Sequence, residues 1–225
     1  MKELFNTPLF GIVLSVAAFE VGLFLNKKLK TPVANPLAIA VFLIIAFLQI
    51  SGIPLESYQR GGDVIAIFLA PATAVLAISI YGQLERLKRH CLPILVGCTV
   101  GSCASIFSVI VLCRLFGLDE TLTASLIPKS VTTPIAIGIA AESGGIPAVT
   151  VAAVIFTGIL GAILSPLLCR VFRVKDPMAR GLAIGTSSHA IGTSKALEMG
   201  EIEGAMSGLA IGIAGIATVI LCLFL

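Results

Sequence analysis

A lysine set in an apolar stretch is the strongest chemical signal in this chain. Lys129 stands in Pro128-Lys-Ser-Val-Thr-Thr-Pro134, within an apolar run from Ala124 to Ala140. Each proline lacks an N–H and clashes with the carbonyl four residues back, so the spacing predicts a broken helix. Broken backbone at membrane depth requires protein or a water-filled cavity to satisfy its polar groups. An embedded lysine there marks a functional site by default. Ser130, Thr132 and Thr133 supply hydroxyls beside it. A second polar turn, Gly185-Thr-Ser-Ser-His-Ala-Ile-Gly-Thr193, offers Ser187, Ser188, His189 and Thr193 to face them. Helix tips expose unpaired N–H groups and positive dipole ends, which favour an anion. One lysine with hydroxyl donors suits a small monocarboxylate that carries its own hydroxyl or keto oxygen. A phosphate or dicarboxylate would recruit arginine for bidentate recognition.

Competing readings stand beside these. Lys129 either binds the anion or snorkels to an interface. His189 either meets substrate and carries a proton, since imidazole titrates near neutral pH, or is a satisfied structural donor. Glu198 either couples protons or pairs with Lys195 three residues earlier on a helix rim. Asn35, Pro71 and Thr73 are secondary cavity candidates, Pro71 as a helix breaker. Adjacent Ser188 and His189 do not readily adopt a nucleophile–base geometry. There is no G-x-S-x-G elbow and no H-E-x-x-H. No enzyme activity, cofactor or metal site is expected.

Of the 225 residues, 57% are hydrophobic and 12% charged, with mean hydropathy +1.08. Soluble domains carry about 25% charged residues, so the composition demands an all-α integral membrane protein with several spans. The net charge of +3 sits in loops and forms no basic stripe, which excludes a nucleic-acid partner. Six cysteines lie in or beside apolar runs without a C-x-x-C pair and read as small packing residues. No cleavable signal is evident, because Asn26-Lys-Lys-Leu-Lys30 follows the first apolar run.

The positioning elements follow in order. Thr7–Leu25 can cross a core of roughly 30 Å at about 1.5 Å per residue. Asn35 caps a second run to Ile50, with Pro36 at its first turn. A polar loop is expected over Ser51–Gly62, then an apolar run Val64–Tyr81 interrupted at Pro71. The basic loop Gln83–His90 precedes a span over Leu92–Phe116 whose Gly97-x-x-x-Gly101 suggests close packing. Spans follow at Ala148–Leu168 and Gly204–Leu225, the latter with Gly208-x-x-x-Gly212. Lysine and arginine collect at Lys27–Lys30, Arg86–Arg89 and Arg170–Arg180, which the positive-inside rule places in the cytoplasm, leaving the N-terminus outside. Three segments separate the second and third loops. The parity is restored if Pro128–Pro134 is a re-entrant hairpin, with Gly181–Ser194 entering from the opposite face. This divides the chain into scaffold spans (1–116) and two hairpin-plus-span units (117–172 and 173–225). Glu142-x-Gly144 and Glu198-x-Gly200 mark corresponding corners. Such broken, inverted repeats are the layout of secondary transporters.

The runs Asn35-Pro-Leu-Ala38, Phe68-Leu-Ala-Pro-Ala-Thr73, Pro128–Gly138, Gly145-Ile-Pro147, Gly185–Thr193 and Ala196–Gly208 resemble the LrgB/CidB family across essentially the whole chain; Ala70 departs from the glycine expected before Pro71. The resemblance implies a single multi-pass domain in the cell membrane. It implies either an antiholin-like regulator of murein hydrolase activity and lysis, or a carrier of the pyruvate, glycolate or glycerate class. Partners implied are a small carboxylate, a small LrgA/CidA-type membrane protein and a second copy in a homo-oligomer. The combined expectation is alternating access at a midplane site, with the hairpin units moving against the first spans as an elevator.

Overall fold

The computed structural model describes residues 7–29, 31, 34–68, 71, 74–75, 81 and 84–225, with 84, 86 and 87 in backbone only. These residues contain helices and no strands. Thr73 and most of the run between Val64 and Tyr81 lie outside the described residues. The chain forms two compact units, Met1–Ala74 and Val75–Leu225.

In the first unit, α1 (Pro8–Leu29) packs with α2 (Pro36–Ser51) and α3 (Leu55–Ala66). Asn35 caps α2 as its sequence suggests, accepting from Leu37 N and Ala38 N at 3.0 and 3.2 Å. The stretch read as a polar loop to Gly62 is helical from Leu55. Its charges mislead, because Ser57 and Gly61 form a stripe turned to α1 while Glu56, Arg60 and Asp63 stay exposed. A Cβ at Gly61 would lie 2.6 Å from Gly11 Cα, and Ser15 Oγ meets Tyr58 Oη at 2.9 Å.

The second unit comprises α4 (Leu84–Arg89), α5 (Cys91–Leu115), α6 (Glu120–Leu126), α7 (Thr133–Glu142), α8 (Pro147–Val171), α9 (Pro177–Met199) and α10 (Glu201–Cys222). The basic loop expected before the span at 92 therefore contains the short helix α4. Helices α1, α5, α8 and α10 are each long and apolar enough to cross a membrane. The core sits where Ile94 and Cys98 of α5 meet Met206, Leu209 and Ala210 of α10, all fully buried. Cys98 and Cys113 are buried packing residues, whereas Cys91 and Cys103, expected to pack likewise, are exposed; all six thiols are free.

Two of these segments turn back on themselves. The start of α5 (His90, Pro93) and the end of α8 (Leu168) line one cavity, and Met178 and Leu182, soon after α8 ends, pack against the cluster that holds Ile94 and Cys98 of α5, so α5 and α8 run antiparallel. Residues 116–146 therefore leave and return at one end. Within them α6 descends, the chain breaks at 127–132, and α7 climbs back. Ser125 of α6 is tied to the start of α8: its Oγ accepts from Ile146 N at 2.7 Å and its carbonyl accepts from Thr150 Oγ1 at 2.9 Å.

Helix α9 folds back from the opposite, basic end. A Cβ at Gly192 would come within 3.4 Å of the Ile184 carbonyl oxygen, eight residues earlier and about 12 Å away in a straight helix. Gly185 and Thr193, one on each arm, both reach Ser207 of α10. The bend is at His189, whose φ of 43° and ψ of −142° are non-helical. A side chain in this left-handed region costs on the order of 1–3 kcal/mol unless its surroundings hold it. Thr193 Oγ1 donates to the His189 carbonyl at 2.9 Å, and His189 Nε2–H donates to the Val154 carbonyl at 2.9 Å.

Close approach is set by glycines other than the expected G-x-x-x-G leaders. Nothing lies within 4 Å of a Cβ built at Gly97 or Gly208, whereas Gly185 would place one 2.8 Å from Ala210 Cβ and Gly204 one 2.9 Å from Leu197 Cγ. At the basic end, Arg180 pairs with the buried Glu203 at 3.6 Å. Arg180→Ala leaves that carboxylate without its cation. A fully buried pair broken this way costs about 3–5 kcal/mol. With Arg180 itself 32% exposed, a loss of about 2–3 kcal/mol is expected, recovered by adding Glu203→Gln. Thermal unfolding of the purified protein in detergent checks both.

Candidate functional site

The two hairpin tips meet on one turn of α8. Val131, in the first break, packs with Val154, and Val154 carries the carbonyl that His189 of the second tip bonds. Beside this meeting point lies a cavity of about 1130 Å³ contained within the second unit. Residues of α5, α8 and the first arm of α9 line it, together with Lys129 and Ser130. His90, Asp176 and Leu168 rim the basic end.

Lys129 is half-buried, and its Nζ donates to Ser130 Oγ at 3.2 Å. Ser130 Oγ in turn shares a hydrogen bond with Ser105 Oγ at 2.9 Å. No carboxylate pairs with Lys129 among the described residues, whose ion pairs are Arg180–Glu203 and Lys195–Glu198. A free ammonium removed from water is costly until it gains an anion. Ser187 and Ser188 line the same cavity, 3.0 Å apart at their hydroxyls.

The other sequence candidates fall elsewhere. His189 is buried outside the cavity lining with Nε2 committed to Val154, which is the structural-donor reading. Thr193 is bonded to the His189 carbonyl and to Ser207 Oγ at 2.7 Å. Thr133 and Thr132 do not line the cavity. Thr132 precedes α7 without capping it, and its buried Oγ1 has no hydrogen-bond partner among the described residues. Asn35 spends its side chain capping α2, and Pro71 is exposed. Glu198, expected as a secondary cavity residue, is exposed and bonds Lys195 Nζ at 2.7 Å; the rim-pair reading holds.

An unsatisfied buried hydroxyl costs about 1–3 kcal/mol, so removing it should help the fold. Thr132→Val is expected to raise thermal stability by about 1 kcal/mol while leaving ligand response at Lys129 intact. Thermal shift with and without carboxylate measures both effects.

The cavity also uses residues that the chain's hydropathy hides. Ser105 and Ser108 on α5 and Thr157, Gly161 and Ser165 on α8 all line it. Their spacing of three or four residues inside otherwise apolar spans is the signal that marks them, since such positions share one helix face. Glycines make room for the second tip. A Cβ at Gly161 would overlap the Ser188 hydroxyl, one at Gly158 would lie 2.7 Å from His189 Cε1, and one at Gly101 would lie 2.7 Å from Thr186 Cγ2.

Residues 15–225 match the family model described as the LrgB-like family. The chain is 41% identical over 215 residues to a protein of Bacillus cereus (strain B4264) named antiholin-like protein LrgB, covering 95% of this chain and 94% of that protein. The protein of the same name from Bacillus anthracis (strain CDC 684 / NRRL 3495) matches with the same identity and coverage. No solved structure matches the chain.

Proposed function

This chain belongs to the LrgB-like family, and we propose that it serves the antiholin-like membrane role for which its relatives are named by carrying a small monocarboxylate. The relatives' names favour the first half of this reading and say nothing of transport. The second half rests on one observation. Lys129, with no carboxylate partner among the described residues, lines a cavity that also carries several hydroxyls in a helical membrane protein.

In this reading Lys129 binds the carboxylate, and Ser130, Ser187 and Ser188 orient a neighbouring hydroxyl or keto oxygen. That chemistry fits acids of the pyruvate, glycolate or glycerate class. The two hairpins act as inverted repeats, and the site alternates between the two faces. The basic end faces the cytoplasm of the cell membrane with the N-terminus outside. A second copy and a small LrgA/CidA-type membrane protein complete the assembly. Flux of a metabolic acid would then link the carrier to lysis indirectly.

Uptake of labelled pyruvate, glycolate and glycerate into proteoliposomes tests the reading, with and without a proton gradient and with and without the small partner. Saturable uptake that depends on Lys129 supports a carrier. Its absence from folded protein in every condition would leave the reading that the relatives' names favour, an antiholin-like regulator of murein hydrolase activity that transports nothing.

A further inference from the structure

We propose that the cavity takes amphipathic monocarboxylates, with the head at Lys129 and an alkyl chain lying along α8. The inference rests on the reading of Lys129 as the anion site and extends the substrate class beyond three-carbon acids. The cavity combines a polar cluster with a longer apolar wall. Lys129, Ser130 and Ser105 are linked by hydrogen bonds, and Ser188 lines the same cavity. Leu160, Leu164 and Leu168 form a stripe at four-residue spacing on α8, with Pro93 and Val100 of α5 also on the lining and Ser165, His90 and Asp176 as its polar neighbours. Side chains four apart share one face of a helix, so the stripe is continuous. From Thr157 to Leu168 the wall runs about 16 Å at 1.5 Å per residue.

A cavity of about 1130 Å³ exceeds what a three-carbon acid fills. Such a small acid would engage the polar cluster alone and leave the leucine stripe unused. A chain continuing from the same carboxylate would cover that stripe. The single cation sets the head and the apolar wall sets the direction of the tail. A dicarboxylate would find no second lysine or arginine among the described residues of the lining, so its second charge would be buried without a strong partner.

The test is equilibrium binding of labelled propionate, butyrate, hexanoate and octanoate to the full chain in zwitterionic nanodiscs, with empty nanodiscs subtracted. Affinity is expected to rise about two- to fourfold per methylene, the upper figure being full burial at about 0.8 kcal/mol. Leu164→Asn should flatten that slope while leaving propionate binding unchanged; Leu168→Asn gives the same test if the first variant fails to assemble. Propionate binding with no dependence on chain length would overturn this inference and leave the small-acid carrier standing. A slope that persists in both asparagine variants would assign it to the surrounding lipid and equally overturn it. No binding of any acid by folded protein would remove the anion site, and this inference with it.

Discussion

Saturable carboxylate uptake should be lost in Lys129→Met, and the empty protein should be no less stable for the change. The two halves of this expectation have one cause. The ammonium is half-buried on the cavity lining, held by a single hydrogen bond to Ser130 and by no carboxylate among the described residues. In the empty state it is therefore a cost, and methionine removes the charge while keeping an unbranched chain in place. In the loaded state it is the only lysine or arginine among the described residues that line the cavity. Truncating one partner of a buried, hydrogen-bonded charge pair costs about 2–5 kcal/mol, or between about thirty and several thousandfold in affinity. Lys129→Arg should recover part of this loss, because it restores the charge in a larger, planar form. A snorkelling lysine predicts otherwise: the methionine variant would keep uptake. Paired measurements of uptake and thermal unfolding on the same preparation separate these outcomes.

Gly161→Ala should reduce uptake by more than about tenfold although the substitution adds a single methyl group. A Cβ at this position overlaps both the hydroxyl and the Cβ of Ser188, so rotating the serine does not relieve the clash and the backbone of the tip must move. That backbone is already held in an unfavourable conformation at His189, fixed by the Val154 carbonyl and by Thr193. Overpacking of a tight contact costs about 1–3 kcal/mol, against which alanine gains about 1 kcal/mol of helix propensity. The fold should survive while Ser187 and Ser188 are displaced from the cavity. Gly97→Ala is the control. It lines the same cavity on the facing helix, yet nothing lies within 4 Å of its Cβ, so it should retain uptake and gain slightly in stability. Equal losses in both variants would mean that the tip's seating is irrelevant to function.

The general architecture was legible before any coordinates. Charge content demanded a membrane protein, and Pro128, Pro134 and the polar turn at 185–193 marked the places where helices break, because covalent facts about proline and burial costs of polar groups act locally. Charge parity gave the reason to expect a hairpin at the first break, because the positive-inside rule favours basic loops on one side. The cap at Asn35 was equally local. By contrast, the helix over Leu55–Ala66 hides behind a polar mean composition, although its apolar residues recur at helical spacing; only the fold shows which neighbour that face meets. The same applies to Gly97, whose motif spacing suggests packing while its neighbours leave it open. Burial belongs to a pair of surfaces, and one strand of letters shows a single surface.

The chain alone pointed to Lys129 and the hydroxyls of a second broken turn as candidates for an anion site. Tertiary structure decided which of those hydroxyls share a cavity with the lysine. Ser130, Ser187 and Ser188 reach the cavity with Ser105 and Ser108 from a span that reads as plain, whereas Thr193 and His189 are spent holding the bend. Whether a polar group is free for a ligand or consumed by its own fold depends on what the backbone brings within about 3 Å of it. Residues that share a sequence run can therefore serve opposite purposes. In this protein the fold uses Thr193 and His189 to hold the tip in place and leaves the neighbouring Ser187 and Ser188 on the cavity that Lys129 also lines.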